Sequence, residues 1–518
     1  MLKRTIGFFI FLTLFMAITS FAQQKEKTLS LEDCILKAME NNLDVAIEVL
    51  NPELADISVS RAQERFMPSL SFNYNKRDTN SASYSFLDAS DQISTISDSY
   101  SAQISQLIPT GGSFSISLDG YKTTTNRRFT SINPRYGYTL SFNFSQPLLK
   151  NFGSKVSRRE IIIARNSQDI SENQLKRVLQ ETIYSVEEAY WNMVHSSENL
   201  KVRQQSLKLA QDLLEKNMKA VEVGTLAPIE ILSAQSAVAT READILQAEA
   251  VLKDNEDRLK TIINLAAEEE AELVKIIPVD RPSFEKKEIA LDEALRTAMD
   301  NRPDLSATRI DLKNKELDLS YSRNQLLPNL SLNASYWSPG VTGDQLVYPP
   351  GDPFADPIGI IEGNPSDALK DVFNFKYKNW TAGITLDIPL NTILSRADYA
   401  QARVNLDQAM LRLKNQEQQI FLEIKNAVRA VQTDYKRVQA YKVARELGEK
   451  TLEAEEEKLK VGITTPFFVL QYQTDLATAQ TNTLKAAVDY ILSLARLNRA
   501  MGISLKEKNI RFSKVLRR

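Results

Sequence analysis

The sequence is written twice, and repeats of this kind fix the architecture before any single residue does. Leu31–Asn42 (LEDCILKAMENN) resembles Leu291–Arg302 (LDEALRTAMDNR). The same register carries Arg61–Tyr74 (RAQERFMPSLSFNY) onto Tyr321–Ala334 (YSRNQLLPNLSLNA), matching Pro68 with Pro328. Ser141–Leu149 (SFNFSQPLL) resembles Gly383–Asn391 (GITLDIPLN) and matches Pro147 with Pro389. Val221–Gln235 (VEVGTLAPIEILSAQ) then aligns without a gap on Leu459–Gln473 (LKVGITTPFFVLQYQ), sharing Gly224/Gly462, Pro228/Pro466 and Leu232/Leu470. Each half reads helix, strands, long helix, sharp hinge, long helix. The halves run from about 29 to 265 and from 289 to 501, divided by an acidic, Pro-containing linker at 266–288.

The helical stretches are long. No Pro or Gly interrupts 155–223, and Leu175, Leu179, Ile183, Val186, Tyr190 and Met193 keep a three/four spacing. The second copy, 396–461, repeats the pattern. At 1.5 Å per residue such helices reach on the order of 100 Å. After each hinge a further helix is expected to pair back; Ile231, Val238, Ile245, Leu252 and Leu259 fall seven apart. An apolar stripe this narrow buries one side only. At the hinges, Gly224 and Gly462 suit a left-handed helix end, Thr225 or Thr464 can cap the following helix, and Pro228 and Pro466 suit its first turn. Thr465 completes the second hinge.

The strand stretches alternate apolar with Ser, Asn, Gln or Thr: 68–76, 100–108, 113–121 and 138–146 in the first half, 328–337 and 380–388 in the second. Runs of about 9–10 residues are long enough for a tilted strand to cross a bilayer. Tyr74, Tyr138, Trp337 and Trp380 stand near strand ends, where an interfacial aromatic girdle is expected. The stretches 77–99, 122–135 and 338–376 read as long polar loops, and Pro109–Gly112 as a short turn. Alternation is weakest around Ile104, Leu107, Phe114, Ile116 and Leu118, which points to a decorating hairpin or strand extension rather than two more wall strands. Four to six strands from one chain cannot close a barrel, and in lipid a sheet must close to satisfy its backbone. Three copies give about 12 to 18 strands, enough for a pore.

The bulk numbers exclude several classes. Lys+Arg 64 against Asp+Glu 66 leaves no basic footprint for nucleic acid. One Cys (Cys34) and one His (His195) cannot supply a Cys/His zinc site, and neither a nucleophile elbow nor a phosphate loop occurs. No cofactor or metal and no enzymatic activity are expected. Lys3 and Arg4, the apolar run 6–19 and the small-x-small Ser20-Phe21-Ala22 read as a secretory signal at 1–22, with no following Cys to carry a lipid.

The ordered set LSLEDCILKAMENN, FMPSLSF, SQPLLKNFG, VEEAYWNMV, VGTLAPIEIL, IALDEALRTAMDNRPDL, LLPNLSL, DIPLNTILSRADYAQAR and VGITTPFFVL resembles the TolC-like outer-membrane efflux proteins, or outer membrane factors, over nearly the whole mature chain. That resemblance implies an α+β membrane protein: a trimeric transmembrane β-barrel in outer-membrane lipid, continued by a long α-helical barrel in the periplasm and built from two internal repeats. It implies the exit duct of a tripartite efflux or type I secretion system, docked through a periplasmic adaptor (membrane fusion protein) to an inner-membrane pump. The linker 266–288 and the tail 502–518 would form an equatorial girdle. The hinges would be the adaptor-docking tips, using Gly224, Thr225, Pro228, Gly462, Thr464, Thr465 and Pro466.

Members of that family often carry acidic residues just after the second turn, as a gate. Here the matching positions are Phe468 and Gln471, with Glu230 and Ser233 in the first copy. An apolar constriction of Phe468 side chains is therefore the expected alternative to a carboxylate ring. The rival readings are an exported coiled-coil tether or adhesin, or a periplasmic structural protein. These explain the helices but not the barrel-like strands at the same place in both halves.

Overall fold

The computed structural model describes residues 25–84, 90–265, 274–351 and 355–510. The expected signal at 1–22, the start of the linker and the end of the tail lie outside the described residues. The first half runs β1 (Lys25–Leu29), α1 (Leu31–Asn41), α2 (Leu43–Glu64), β2 (Ser69–Ala82), β3 (Gln92–Leu107), β4 (Ser113–Thr125), β5 (Ile132–Pro147), α3 (Arg159–Glu222) and α4 (Ile229–Ile262). The second runs β6 (Val274–Pro278), α5 (Leu291–Asn301), α6 (Pro303–Asn324), β7 (Asn329–Val347), β8 (Gly359–Ile361), α7 (Pro365–Phe373), β9 (Asn379–Asp387), α8 (Ile393–Lys460) and α9 (Pro466–Ala500). The uninterrupted periodic stretches have become helices of 64 and 68 residues, α3 and α8.

The chain divides into two compact units. One comprises residues up to 53, 170–309 and 412 onward, and is mainly helical. Among the described residues four apolar clusters hold it, two of them around the helices that open the halves. In the first, Cys34, Ile35 and Ala38 of α1 pack on Ile183, Val186, Tyr190 and Met193 of α3. In the second, Ala294 and Ala298 of α5 pack on Ile420, Ile424 and Val428 of α8 and on Tyr490 and Leu497 of α9. The amphipathic helix that opens each half thus buries its apolar face on the half's own long helix. Ser30 caps α1 in a reciprocal capping box with Asp33. Burial pushes the Cys34 thiol up to about 12, so it packs as an apolar side chain.

Part of the linker is a strand, which periodicity did not show. β6 pairs in parallel with β1, Lys27 opposite Ile276 and Leu29 opposite Pro278. Tyr190 Oη donates to the Leu29 carbonyl (3.2 Å) and to Asp280 Oδ2 (2.7 Å). Tyr490 Oη donates to the Glu285 carbonyl at 2.7 Å. Two fully buried tyrosines therefore tie the linker to the bundle. Arg302 joins three helices, with a two-pronged pair to Asp304 (3.0 and 2.8 Å), one bond to Glu423 (2.5 Å) and one to the Ala500 carbonyl (3.1 Å).

The second unit, 54–169 and 310–411, carries the large sheet. Its order is β2-β3-β4-β5-β7, with β8 and β9 pairing farther along β7, and every neighbour is antiparallel. Two expectations are corrected here. The β3–β4 hairpin is neither a decoration nor a strand extension; it lies within the sheet, between β2 and β5. Most strands also outrun the predicted length, with 14, 16, 13, 16 and 19 residues in β2, β3, β4, β5 and β7. Much of the supposed loop sequence is therefore strand. Polar stretches rich in Ser and Thr still satisfy the ladder, as Ser97 opposite Thr123 and Thr95 opposite Thr125 show. Tyr–Gly pairs help β4 and β5 meet closely. A Cβ on Gly137 would fall 2.4 Å from the Tyr121 ring, and one on Gly120 2.7 Å from the Tyr138 ring.

The Arg302 pair supplies a pH test. Burial alone would raise the Asp304 carboxyl, but the hydrogen bonds and charge of Arg302 hold it below its ordinary value. A depressed carboxyl stabilises fully above about pH 4 and loses that contribution as pH falls through the depressed value. Asp304→Asn is expected to lower the stability of the helical unit by about 1–3 kcal/mol at pH 7. The difference from the native chain should shrink below about pH 3, read by thermal melting at 222 nm at both pH values.

Candidate functional site

Both hinges close the preceding helix in the same way. At the first, Gly224 takes φ +73°, its N–H donates to the Val221 carbonyl (3.0 Å), and the Thr225 N–H donates to the Ala220 carbonyl (2.9 Å). At the second, Gly462 takes φ +77°, with Gly462 N–H to the Leu459 carbonyl and Ile463 N–H to the Lys458 carbonyl, each 3.1 Å. This is the Schellman arrangement, which needs a left-handed residue just past the helix. Nothing lies near either glycine where a Cβ would stand, so the backbone conformation alone selects glycine.

The threonines act differently from the expectation. Thr225 Oγ1 donates back to the Ala220 carbonyl (2.9 Å), closing α3 rather than capping α4. Thr464 Oγ1 donates to Glu455 Oε1 on α8 (2.5 Å), and that bond, with Lys458 beside it, holds the Glu455 carboxyl below its usual range. Thr465 is the N-cap residue of α9 but makes no side-chain cap bond. Pro466 opens α9 as expected; Pro228 precedes the first residue of α4. Four residues separate Gly224 from α4 and three separate Gly462 from α9, and in both turns a threonine hydroxyl bonds back to the preceding helix.

Around the hinges the surface is apolar. Val223, Ile229, Val461 and Ile463 are more than 60% exposed. Phe467 and Phe468, both exposed, meet edge to face at 5.6 Å. Gln471 donates to Asp475 (3.0 Å), and the Glu230 carbonyl accepts from Asn217 (3.4 Å). The Glu230 Oε2 is buried with no hydrogen-bond partner. Gln471 lines, with Phe467, Leu232 and Ser233, a groove of about 540 Å³ between α4 and α9. Phe468 does not line that groove.

One residue of this region escaped sequence reasoning. Arg241 is 6% exposed and lies on the same groove. It donates to the carbonyls of Ser206 (2.7 Å) and Leu470 (3.2 Å), to Gln473 Oε1 (3.1 Å) and to Thr474 Oγ1 (3.3 Å). It fastens α4 to α3 and α9 at once. The signal was present in the spacing: the deeply buried track of α4 is Ala234, Arg241, Ala248, three residues on from the predicted Ile231–Val238–Ile245 seam.

The sheet divides its side chains cleanly. Straight across six strands run Leu70, Ile104, Ile116, Phe142, Tyr336 and Trp380, every one apolar or aromatic. The adjacent row is Ser69, Ser105, Ser115, Asn143, Ser335 and Thr381, every one polar. Because side chains alternate along a strand, these rows lie on opposite faces. Much of the apolar face is bare: Phe72, Tyr74, Trp380 and Ile384 are 73%, 63%, 74% and 69% exposed. α7 covers one part of it, its Ala368 and Val372 against Gly340, while Phe375 stacks near Phe142 and Tyr336. Tyr74, Tyr138 and Trp380 belong to the apolar face. Trp337 does not: it pairs with Ser141 and Asn379, one step from Tyr336, and so stands on the polar face. Among the described residues no helix is long and apolar enough to cross a membrane. The bare, banded face belongs to the sheet.

A family model described as Outer membrane efflux protein matches residues 113–265 and 294–503. The chain belongs to the outer membrane efflux protein family. It is 23% identical over 386 residues to Outer membrane protein TolC of Vibrio cholerae serotype O1, covering 73% of this chain and 80% of that protein. It is 22% identical over 320 residues to Nodulation protein T of Rhizobium leguminosarum bv. trifolii, covering 61% of each. Among solved structures it is similar to the Campylobacter jejuni CmeC outer membrane channel (TM-score 0.62, 15% identity, 92% of this chain and 89% of that one). It is also similar to the outer membrane protein VceC of Vibrio cholerae (TM-score 0.60, 15% identity, 91% and 96%). As a member of the outer membrane efflux protein family it is an outer-membrane protein whose fold unites a transmembrane β-domain with long helical hairpins in two repeats. Its TolC-type relatives are channel proteins, not enzymes.

Removing the Arg241 guanidinium takes away its bonds to the Ser206 and Leu470 carbonyls, Gln473 and Thr474. Arg241→Met is expected to loosen the packing beside the hinges by about 1–3 kcal/mol. Hydrogen exchange should accelerate in α4 and in the first turns of α9, with the sheet amides unchanged.

Proposed function

We propose that three copies of this chain form the exit duct of a tripartite efflux or type I secretion system. The observation that carries the reading is the large sheet, with a bare apolar face, a hydroxyl- and amide-lined opposite face, and unpaired outer edges on β2 and β9. In lipid such edges are tolerated only when another strand closes them. The polar face then lines a hydrated lumen and the apolar face meets hydrocarbon, with Tyr74, Tyr138 and Trp380 in the interfacial girdle. The amphipathic α7 lies on the lipid side, as an interfacial helix does. The long hairpins continue the duct through the periplasm.

The hinges are the ends that meet the periplasmic adaptor, through which the duct receives cargo from an inner-membrane pump. Supporting this are two like turns, each fixed by a Schellman glycine and each showing apolar side chains to solvent. The gate is apolar, formed by Phe468 from each chain. Glu230, on the first turn of α4, has one carboxylate oxygen buried, whereas Phe468 and Gln471 project into solvent. The transported substrate is set by the pump.

Purified protein in liposomes is expected to permit swelling in sugar solutions and to migrate, unboiled, as a trimer. A monomeric, non-conducting chain would overturn the duct and favour a coiled-coil tether. Phe468→Ala is expected to raise the conductance of the resting channel at least two-fold, while Glu230→Ala leaves it within experimental error. Val223→Asp with Ile463→Asp should abolish export in cells yet leave liposome swelling intact, separating adaptor docking from the pore itself.

A further inference from the structure

Resting on the three-copy reading above, we infer that the β3–β4 hairpin sets the calibre of the outer mouth. Six long strands from each chain close an 18-stranded barrel, wide enough for hydrated solutes about 20 Å across. The first observation is the place of the hairpin. β3 pairs with β2 along 14 residues, and β4 pairs with β5 along 11, so the hairpin is paired on both sides. Its apolar residues share the face of the flanking strands, Ile104 and Ile116 standing between Leu70 and Phe142.

The second observation is the strand count and direction. With β2, β3, β4, β5, β7 and β9 alternating, the two outer strands run opposite to each other. β2 of one copy can then pair antiparallel with β9 of the next, and closure works without a parallel seam.

The third observation is the slope of the register. The row that starts at Ser69, the first residue of β2, ends at Thr381, six residues before Asp387 at the end of β9. That row crosses five strand spacings within the chain; with the closing seam, its ends levelled, as the sixth, six residues of rise give a tilt of about 35°, at the lower edge of the range of outer-membrane barrels. Eighteen strands at that tilt make a barrel about 34 Å across its backbone, where twelve would make about 22 Å. After side chains, the bore is about 24 Å rather than about 12 Å.

The same levelling fixes the closing register. Levelling the two strand ends sets Ser69 opposite Asp387 of the next copy. Ser71 then meets Thr385 on the lumen face, and Leu70 and Phe72 meet Leu386 and Ile384 on the lipid face. The lumen rows are largely Ser, Asn, Gln and Thr, which admit polar cargo without selecting charge.

The test is polymer access from the barrel side of single channels in planar bilayers. Native protein should admit polyethylene glycols up to about 20 Å across, and deletion of Gln92–Thr125, which leaves β2 and β5 joined by one loop, should lower the limit to about 12 Å. An unchanged limit in a conducting deletion variant overturns the inference. Should the deletion fail to assemble, Ser71→Cys with Thr385→Cys decides. Directly opposed strand residues lie within disulfide reach, and the native Cys34 is fully buried. Oxidation should yield a trimer that survives boiling without reductant. A conducting trimer that admits only polymers of about 12 Å, or that gives no cross-link, overturns the wide barrel and spares the duct. Absence of both trimer and conductance overturns the duct itself.

Discussion

The structure depends on backbone hydrogen bonds that one chain cannot complete. Inside the sheet every long strand has a neighbour on both sides except β2 and β9. Those two are also the most exposed of the long strands. In water an edge of this kind is an aggregation hazard; in hydrocarbon each unpaired group costs several kcal/mol. The apolar row beside it repeats the demand in side chains, since Phe72, Ile384 and Trp380 find no cover among the described residues. Edge and face call for two different partners, another copy for the edge and lipid for the face. The sheet carries both requirements at the same rows, which on the three-copy reading couples assembly to membrane insertion.

In the helical unit a few large polar side chains tie the elements together. Tyr190 and Tyr490 lock the linker, Arg302 closes α5 against α8 and α9, and Arg241 spans three helices close to the hinges. Each is a large side chain that reaches a backbone carbonyl where regular helix pairing cannot. Burial pushes the Tyr190 hydroxyl well above its usual value and its pairing with Asp280 keeps it protonated, so it remains a donor at any physiological pH. Burial also pulls down the Arg241 guanidinium, with the charge of Asp244 opposing it, and four acceptors surround it. These tethers are specific in direction, whereas the Ala-rich α4 seam supplies only closeness.

Much of this was legible in the sequence because long elements with one period leave a strong signal. The stretch read as helix over 155–223 is α3 at Arg159–Glu222, and the one read over 396–461 is α8 at Ile393–Lys460. Strand alternation gave the faces correctly at Leu70, Phe72, Leu332 and Ile384. It failed at Trp337, where bulk and hydrophobicity outweighed the count of one residue from Tyr336. It also failed beyond the apolar band. There Ser and Thr occupy both faces, alternation disappears, and the ladder continues on backbone bonds alone. The β3–β4 hairpin was misread for the same reason, since its few apolar positions are spaced by Ser, Asp and Gln. The parallel pair β1–β6 joins segments some 250 residues apart, beyond the reach of any local pattern.

The two hinges show what duplication keeps and what it frees. The Schellman glycine is constrained by backbone geometry, and both copies retain it at nearly the same φ. The residues just after it carry no such constraint. One copy turns Glu230 partly inward beside Asn217, while the other presents Phe467 and Phe468 to solvent. An apolar ring shuts by excluding water, and a carboxylate ring by holding cations. Only the first is compatible with a second-copy turn bearing Phe468 and Gln471. In the duct proposed above, the charge at the hinge end is decided by positions 468 and 471, which the fold itself leaves open.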